Sequence, residues 1–138
     1  SAGDYAEYVM PHVQLIFDGL KHEGVPLIHF GTGTTAILKS MRQAGGDVIG
    51  IDWRIPLDEA WAMVGYDRAV QGNLDPVMLF GPMHEIERRV ADILRRAAGR
   101  PGHIFNLGHG ISPFTNPEHV HALVNTVHAH STKLRHLA

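Results

Sequence analysis

A histidine flanked by two glycines, Gly108-His109-Gly110, is the part of this sequence best suited to chemistry. It follows His103–Leu107, a mainly apolar run that we predict to be a β-strand. The flanking glycines give the imidazole little local packing and leave room for a ligand to approach closely. An imidazole in this position can donate a hydrogen bond to a carboxylate or transfer a proton near neutral pH. We therefore interpret His109 as a functional histidine rather than as an ordinary histidine of a surface loop.

Two other strand-like runs also end in polar residues that could bind a ligand. Asp52-Trp53-Arg54 places a carboxylate, an indole and a guanidinium side by side, and another loop contains Asn73 and Asp75. We favour a structural interpretation for both loops. Arg54 is expected to neutralise Asp52 or Asp75. Asn73 and Asp75 are expected to hold their own loop through side-chain-to-backbone hydrogen bonds.

A fourth loop, Gly31-Thr32-Gly33-Thr34, lies between a strand-like run and a helix-like run. Backbone N–H groups at such a junction can bind an anion. The loop lacks the lysine of a phosphate-binding loop, and Ala36 stands where the dinucleotide-binding pattern has its third glycine. A tight turn and an anion-binding loop therefore remain equally good interpretations.

The four loops divide the sequence into alternating strand-like and helix-like runs. The predicted strands are Leu27–Phe30, Val48–Ile51, Arg68–Gln71 and His103–Leu107. The first predicted helix has Asp4 as its cap and an apolar face formed by Tyr5, Val9, Val13, Ile16 and Leu20. Four more helices are predicted at 34–43, 57–64 and 83–97, and from Pro117 onward with Val120, Leu123, Val124 and Val127 facing inward.

Alternation of strands and helices at roughly 30 residues per unit indicates βαβ crossovers and an α/β protein with a parallel sheet. Because the strands are apolar throughout, we predict that both faces of the sheet are covered. Two architectures fit this pattern: a small doubly wound sheet, or four consecutive βα units of a (β/α)8 barrel. A whole barrel takes about 250 residues. The 138 residues would therefore supply half of one, with open sheet edges.

The composition limits the classes of function. A net charge of −2 argues against nucleic-acid binding, and no apolar run approaches the roughly 20 residues that cross a bilayer. Cysteine is absent, which excludes disulfides and suits a cytoplasmic protein. The chain has eleven histidines, but their spacing does not predict a metal site. We expect solvent exposure for those in or after the last helix, which are His119, His121, His128, His130 and His136.

At its four strand ends the chain resembles the uroporphyrinogen decarboxylase family. The segments that carry the resemblance are Pro26–Gly33, Gly45–Arg54, Val70–Pro76 and His103–Gly110. The last three together are highly specific. The resemblance extends over the whole chain and corresponds to roughly the last two-fifths of the family's length.

The resemblance implies that residues 1–138 are the carboxyl-terminal half of a (β/α)8 TIM barrel in a single-domain enzyme. The family's enzymes are carboxy-lyases of haem biosynthesis. They remove four acetate carboxyl groups from uroporphyrinogen III to give coproporphyrinogen III, with no cofactor and no metal. The resemblance also implies a cytoplasmic enzyme that is a homodimer at full length.

The resemblance assigns a role to His109, which matches the family's active-site histidine near the carboxylate arms of the substrate. We predict further substrate contacts from its neighbours and from the other strand ends: Gly108, Gly110, Gly31, Thr32, Asp52, Arg54 and Asn73. The family's other catalytic positions lie upstream of Ser1. The chain alone is therefore expected to be inactive.

Two alternatives stay open at this point. The chain could be a non-catalytic folded module that pairs its exposed sheet edges with a partner. It could also be a relative of the barrel methyltransferases. Those enzymes bind zinc through cysteines, which this sequence lacks, so such a relative would have to work without zinc.

Overall fold

A computed structural model describes the backbone of residues 1–135 and the side chains of residues 1–131. The strands are β1 Ile28–His29, β2 Val48–Gly50, β3 Ala69–Leu74 and β4 His103–Leu107. The α-helices are α1 Ala2–Asp4, α2 Met10–Leu20, α3 Leu38–Ala44, α4 Leu57–Val64, α5 Met83–Ala97 and α6 Pro117–Arg135. A π-helical stretch, Tyr5–Val9, joins α1 to α2, and 3₁₀ helices occupy Thr35–Ile37 and Pro76–Phe80.

The four strands form one parallel sheet in the order β1-β2-β3-β4. The register aligns His29 with Ile49, Ile49 with Val70, and Val70 with His103. Each crossover leads to the next strand in line, and right-handed crossovers in this order place the helices on one face. The predicted α/β fold of four consecutive βα units is confirmed. The described residues form an open sheet, consistent with part of a barrel wall and not with a closed barrel.

The hydrophobic core lies between the sheet and the helices. Ile49 and Val70 of the central strands, Trp61 of α4 and Val90 of α5 are fully buried there. The Trp61 indole N–H donates a 2.9 Å hydrogen bond to the Arg68 carbonyl oxygen, so this large side chain buries no unpaired polar atom. The apolar stripe predicted for α5 is confirmed, with buried residues Ile86, Val90, Ile93, Leu94 and Ala97.

The opposite face of the sheet is open. Ile28, Phe30 and Ile104 are 47%, 47% and 42% exposed. Phe105 and Leu107 of β4 pack against the core, so Ile104 between them points to the other face. The prediction that both faces are covered is wrong at β1 and β4, whereas all three residues of β2 are buried. These strands are apolar on a face that the helices of the described chain do not reach.

The first helical segment is capped by Ser1, and the prediction of Asp4 as its cap is wrong. The Ser1 hydroxyl accepts from the Asp4 N–H at 3.2 Å, and the Asp4 carboxylate accepts from the Ser1 amino group at 2.9 Å. This reciprocal pair is a capping box. The predicted apolar face of the helix is mostly exposed, because few other residues cover it. Phe17, outside that predicted face, contacts the sheet, because its ring centroid lies 4.9 Å from that of His29.

Strand β3 is longer than predicted and ends at Leu74 rather than at Gln71. Asn73 and Leu74 pair with Asn106 and Leu107 of β4. The sequence indicated a loop here because glycine and asparagine are uncommon in strands. Their backbone groups join the ladder all the same, and this extension carries Asn73 into the buried interior.

The last helix, α6, packs against α5. Among the residues predicted to face inward, Leu123 is buried and Val120 and Val127 are half-buried, whereas Val124 is exposed. The inward stripe is therefore narrower than predicted. Within the described part of the chain, no helix is both long and apolar enough to cross a membrane.

Candidate functional site

The loops after β1 and β2 meet at the carboxylate of Asp52, which is 2% exposed. Its Oδ2 atom accepts from the Gly33 N–H at 2.5 Å and from Arg54 Nη1 at 2.9 Å. Its Oδ1 atom accepts from the Arg54 N–H at 3.0 Å. A buried carboxylate is tolerated when it is paired and hydrogen-bonded in this way. The predicted ion pair between Arg54 and Asp52 is confirmed, and it fixes the two loops to each other.

The Arg54 guanidinium also lies over the indole of Trp53, with Cζ 3.9 Å from the ring centroid. The Arg54 side chain is 48% exposed. A guanidinium carries five N–H donors, and only one of its nitrogens bonds to Asp52 in the contacts described above. The remaining donors suit a carboxylate of a bound molecule, since guanidinium and carboxylate form strong charge-assisted pairs.

Asn73 holds the loop after β2 through two side-chain hydrogen bonds. Its Nδ2 atom donates to the carbonyl oxygens of Asp52 at 2.9 Å and Ile55 at 2.7 Å. The side chain is buried and both amide hydrogens have acceptors. Asn73 was predicted to hold its own loop, but it holds the neighbouring loop instead. Asp75 does act locally, because its carboxylate accepts from the Val77 N–H at 2.9 Å and caps the 3₁₀ helix Pro76–Phe80.

The loop after β4 presents His109 at the surface. The Gly108 N–H donates to the Leu74 carbonyl oxygen at 2.7 Å and so continues the β3–β4 ladder by one residue. The Gly110 N–H donates to His109 Nδ1 at 2.6 Å. Because Nδ1 accepts this bond, the neutral imidazole carries its proton on Nε2. His109 therefore has an N–H donor to offer a ligand.

Gly108 is buried against the loop after β2. A Cβ atom at this position would lie 2.4 Å from the Trp53 backbone nitrogen, so a side chain does not fit without a backbone shift. The rings of Trp53 and His109 are in contact as well, with centroids 5.9 Å apart and planes at 84°. The loops after β2 and β4 thus meet across the end of β3.

The loop after β1 is closed by its own hydrogen bonds. The Thr34 hydroxyl donates to the Gly31 carbonyl oxygen at 3.2 Å, and the Gly33 N–H is taken by Asp52. Thr32 lies exposed in the turn. This geometry favours the turn over the anion-binding loop. Substrate contacts by Gly31 and Thr32 stay predictions.

A cavity of about 270 Å³ adjoins this cluster on the side of α5. Trp53, Arg54 and Asn73 line it, together with Arg89 and Arg96 of α5. Pockets for drug-sized ligands usually measure about 300–1,000 Å³. The cavity is therefore smaller than a usual site for a drug-sized ligand.

The other histidines do not form a metal site in the described chain. Within residues 1–135, no group of three or more His, Cys, Asp or Glu side chains is arranged to hold a metal ion. The prediction that the histidines of α6 are solvent-exposed is wrong for two of them. His119 Nδ1 lies 2.8 Å from the Leu79 carbonyl oxygen, and His130 Nδ1 lies 2.9 Å from that of Thr126. His136 lies outside the described residues.

The structure thus brings five of the predicted site residues together: His109, Gly108, Asp52, Arg54 and Asn73. Gly110 has open space where its side chain would be. Gly31 and Thr32 are linked to the group through Gly33 and Asp52. Sequence reasoning missed Trp53 as the contact between the two loops. No local sequence pattern indicated this contact, because it joins residues of two different βα units.

The chain consists of parallel βα units that carry an ion pair with a buried carboxylate, a buried amide and an exposed imidazole at the carboxyl ends of their strands. These features define its class. They are typical of α/β enzymes of the barrel type, which bind their ligands at that end of the sheet. Within that class the chain belongs to the uroporphyrinogen decarboxylase family. The family model described as Uroporphyrinogen decarboxylase (URO-D) matches residues 1–130.

Curated relatives agree with this assignment. Uroporphyrinogen decarboxylase of Sorangium cellulosum is 57% identical over 129 residues, which cover 94% of this chain and 37% of that protein. The enzyme of Carboxydothermus hydrogenoformans is 55% identical over 128 residues, covering 93% and 37%. That of Roseiflexus sp. is 53% identical over 136 residues, covering 95% and 39%. The chain therefore spans less than two-fifths of the length of these relatives.

Proposed function

We propose that residues 1–138 form the carboxyl-terminal half-barrel of a single-domain uroporphyrinogen decarboxylase and contribute His109 to its active site. The observation that carries the proposal is the cluster at the strand ends. In a chain of this family, an exposed imidazole that carries Nε2–H and a half-exposed guanidinium both contact the indole of Trp53. Both groups are donors that suit the carboxylate arms of a polyacidic substrate.

The substrate lies across the carboxyl ends of the strands. The cavity beside Trp53 and Arg54 has about 270 Å³, which is too little for a tetrapyrrole. The macrocycle is therefore bound between this cluster and the remaining βα units of the barrel, and its carboxylate arms reach down to His109 and Arg54. The other residues of this surface lie next to those two side chains or hold the loops around them. They are Gly108, Gly110, Gly31, Thr32 and Asn73.

The reaction replaces a carboxylate by a proton. The bond between the acetate methylene carbon and its carboxylate breaks, carbon dioxide leaves, and the methylene carbon takes up one proton to become a methyl group. His109 is the proton donor or the carboxylate ligand that this chain can supply. Asp52 is not assigned to the positive charge that develops on the pyrrole, because its carboxylate is buried and its charge is already balanced by Arg54. That carboxylate has to come from the rest of the enzyme.

A chimeric enzyme tests the proposal. Residues 1–130 of this chain replace the matching segment of the Sorangium cellulosum enzyme, with which the chain shares 57% identity. We expect the chimera to convert uroporphyrinogen to coproporphyrinogen, and the isolated chain to form no product. A folded chimera without decarboxylase activity would contradict the proposal and favour a non-catalytic module.

We further propose that the complete enzyme is a cytoplasmic homodimer. Phe114 is 86% exposed and Ile111 is also exposed, and both lie in the loop after β4, close to His109. Apolar side chains at the rim of a site suit a subunit interface. Sedimentation of the chimera tests this point. Phe114→Ser is expected to shift it towards the monomer, whereas an unchanged dimer would place the interface elsewhere.

A further inference from the structure

The indole of Trp53 contacts both functional side chains of the site. The Arg54 guanidinium is 3.9 Å from its ring centroid, and the His109 ring centroid is 5.9 Å away at 84°. We propose that Trp53 is a positioning residue that fixes the orientation of the His109 imidazole. This inference rests on the proposed function, since it concerns the same site.

The imidazole needs such a support because its own loop supplies little. Gly110 has no heavy atom within 4 Å of the place where a side chain would begin. Gly108 has no side chain either, and its open side is filled by the backbone of Trp53. The Trp53 backbone therefore sets the position of the residue before His109, and its indole meets the ring of His109 itself. Trp53 thus meets Gly108 with its backbone and His109 with its ring.

The indole is in turn anchored to the core. Arg54 stacks on it and is paired with the buried carboxylate of Asp52. Asn73 secures the same loop through the Asp52 and Ile55 carbonyl oxygens. The loop that carries the indole is thus held by the side chains of Asp52 and Asn73, which are both buried.

The contact with Trp53 fixes the direction of the Nε2–H bond of His109. The Gly110 N–H occupies His109 Nδ1, so Nε2–H is the group that meets the substrate. Nδ1 can keep this bond while the ring tilts by a few tens of degrees. The near-perpendicular contact with the indole restricts that tilt and so fixes the direction of the Nε2–H bond. Proton transfer and hydrogen bonding both depend steeply on such alignment.

The first test is spectroscopic and needs no enzymatic activity. The 138-residue chain is prepared with labelled histidine, and the His109 signals are identified by their loss in His109→Gln. Trp53→Leu is expected to move the His109 ring resonances towards those of exposed histidines such as His22. Trp53→Phe is expected to retain most of the original displacement, because it keeps an aromatic ring.

Unchanged His109 resonances in Trp53→Leu would overturn the proposal. The wild-type chain gives a second measurement that does not depend on the folding of the variants. Nuclear Overhauser contacts between indole and imidazole protons are expected, and their absence would also overturn the proposal. If Trp53 only stabilised the fold, Trp53→Leu would lower the free energy of unfolding, but no Overhauser contact between the two rings would be seen in the wild-type chain.

The second test uses the active chimera. Trp53→Leu is expected to lower kcat about tenfold to a hundredfold, with KM changed less than about twofold, because ground-state binding is kept while alignment is lost. Trp53→Phe should recover most of kcat. A change in KM alone would contradict a positioning role. If the unsubstituted chimera is inactive, the proposed function fails, and the spectroscopic result still decides whether Trp53 orients the imidazole.

Discussion

The two glycines beside His109 have different physical roles, although they look alike in the sequence. Gly108 is buried where the loops after β2 and β4 touch, and Gly110 stands in open space. Neither has the positive φ that only glycine adopts readily. The requirement for glycine at residue 108 is therefore one of space.

This difference predicts unequal effects of the same substitution. Gly108→Ala places a methyl group 2.4 Å from the Trp53 backbone nitrogen and has to push the two loops apart. We expect a loss of about 1–3 kcal/mol in the free energy of unfolding, as for overpacking elsewhere in protein interiors. Gly110→Ala is the matched control and should change stability by less than about 0.5 kcal/mol. Urea unfolding measures both, and equal effects would show that the loops are not in contact.

Asp52 is predicted to be the main structural support of the site. Asp52→Ala removes a buried carboxylate and leaves the Gly33 and Arg54 N–H groups without their acceptor, which should lower the free energy of unfolding by about 2–3 kcal/mol. Asp52→Asn keeps one acceptor oxygen and should lose less. Asp18→Ala, which removes an exposed ion pair with Lys21, is the control and should lose at most about 0.5 kcal/mol. Similar losses for residues 52 and 18 would contradict this role.

Much of the site could be predicted from residue types. A histidine between glycines and an aspartate two residues from an arginine are local patterns, and the ion pair they suggested is present. The clamp by Asn73 and the contact between Trp53 and His109 could not be predicted. Both join residues from different βα units, and their geometry depends on how closely neighbouring strand ends approach.

Among the helices and strands, sequence periodicity located best those whose apolar residues repeat at a regular spacing. The predicted bounds of α4, α5 and β4 agree with the observed ones. The end of β3 was missed because ladder pairing there involves backbone atoms of Gly72 and Asn73, whose side chains carry no strand signal. The exposed apolar face of α2 shows the opposite limit. A helical pattern predicts an apolar stripe but does not say what covers it.

Strand β4 also carries the group expected to make stability depend on pH near neutrality. Burial lowers the pKa of His103, against the opposing effect of its 2.9 Å contact with the Gly72 carbonyl oxygen. The unfolded chain takes up this proton near pH 6.5, whereas the folded protein takes it up only at lower pH. Since the unfolded state then binds more protons, the free energy of unfolding should decrease as pH falls below about 6.5.

The comparison of wild type with His103→Gln isolates this contribution from the other histidines. Urea unfolding at about pH 7.5 and about pH 5.5 should show a smaller loss of stability in the variant. An equal loss in both proteins would mean that His103 is not protonated differently in the folded and unfolded states.

At the scale of the whole molecule, the open sheet face governs behaviour in solution. Ile28, Phe30 and Ile104 expose apolar area on one side of a sheet whose edge strands have free backbone groups. Such a surface promotes association. We expect the isolated chain to elute as dimers or larger species in size-exclusion chromatography.

A charge on the open face should reverse this association. Ile104→Lys is expected to shift the chain towards the monomer without unfolding it, because the side chain already faces outward. Val77→Lys, at an exposed position in the 3₁₀ helix after β3, serves as the control. A monomeric wild-type chain, or equal effects of the two substitutions, would contradict the importance of the open face.

If the strand-end loops present His109 to a carboxylate substrate, as proposed, replacement of this imidazole should slow the decarboxylase chimera. In the decarboxylase chimera, His109→Gln should lower kcat by about a hundredfold or more, as expected for loss of a positioned proton donor. His22→Gln, at an exposed turn far along the chain from the site, should leave the rate unchanged. Undiminished decarboxylation of uroporphyrinogen by the His109→Gln chimera would contradict the claim.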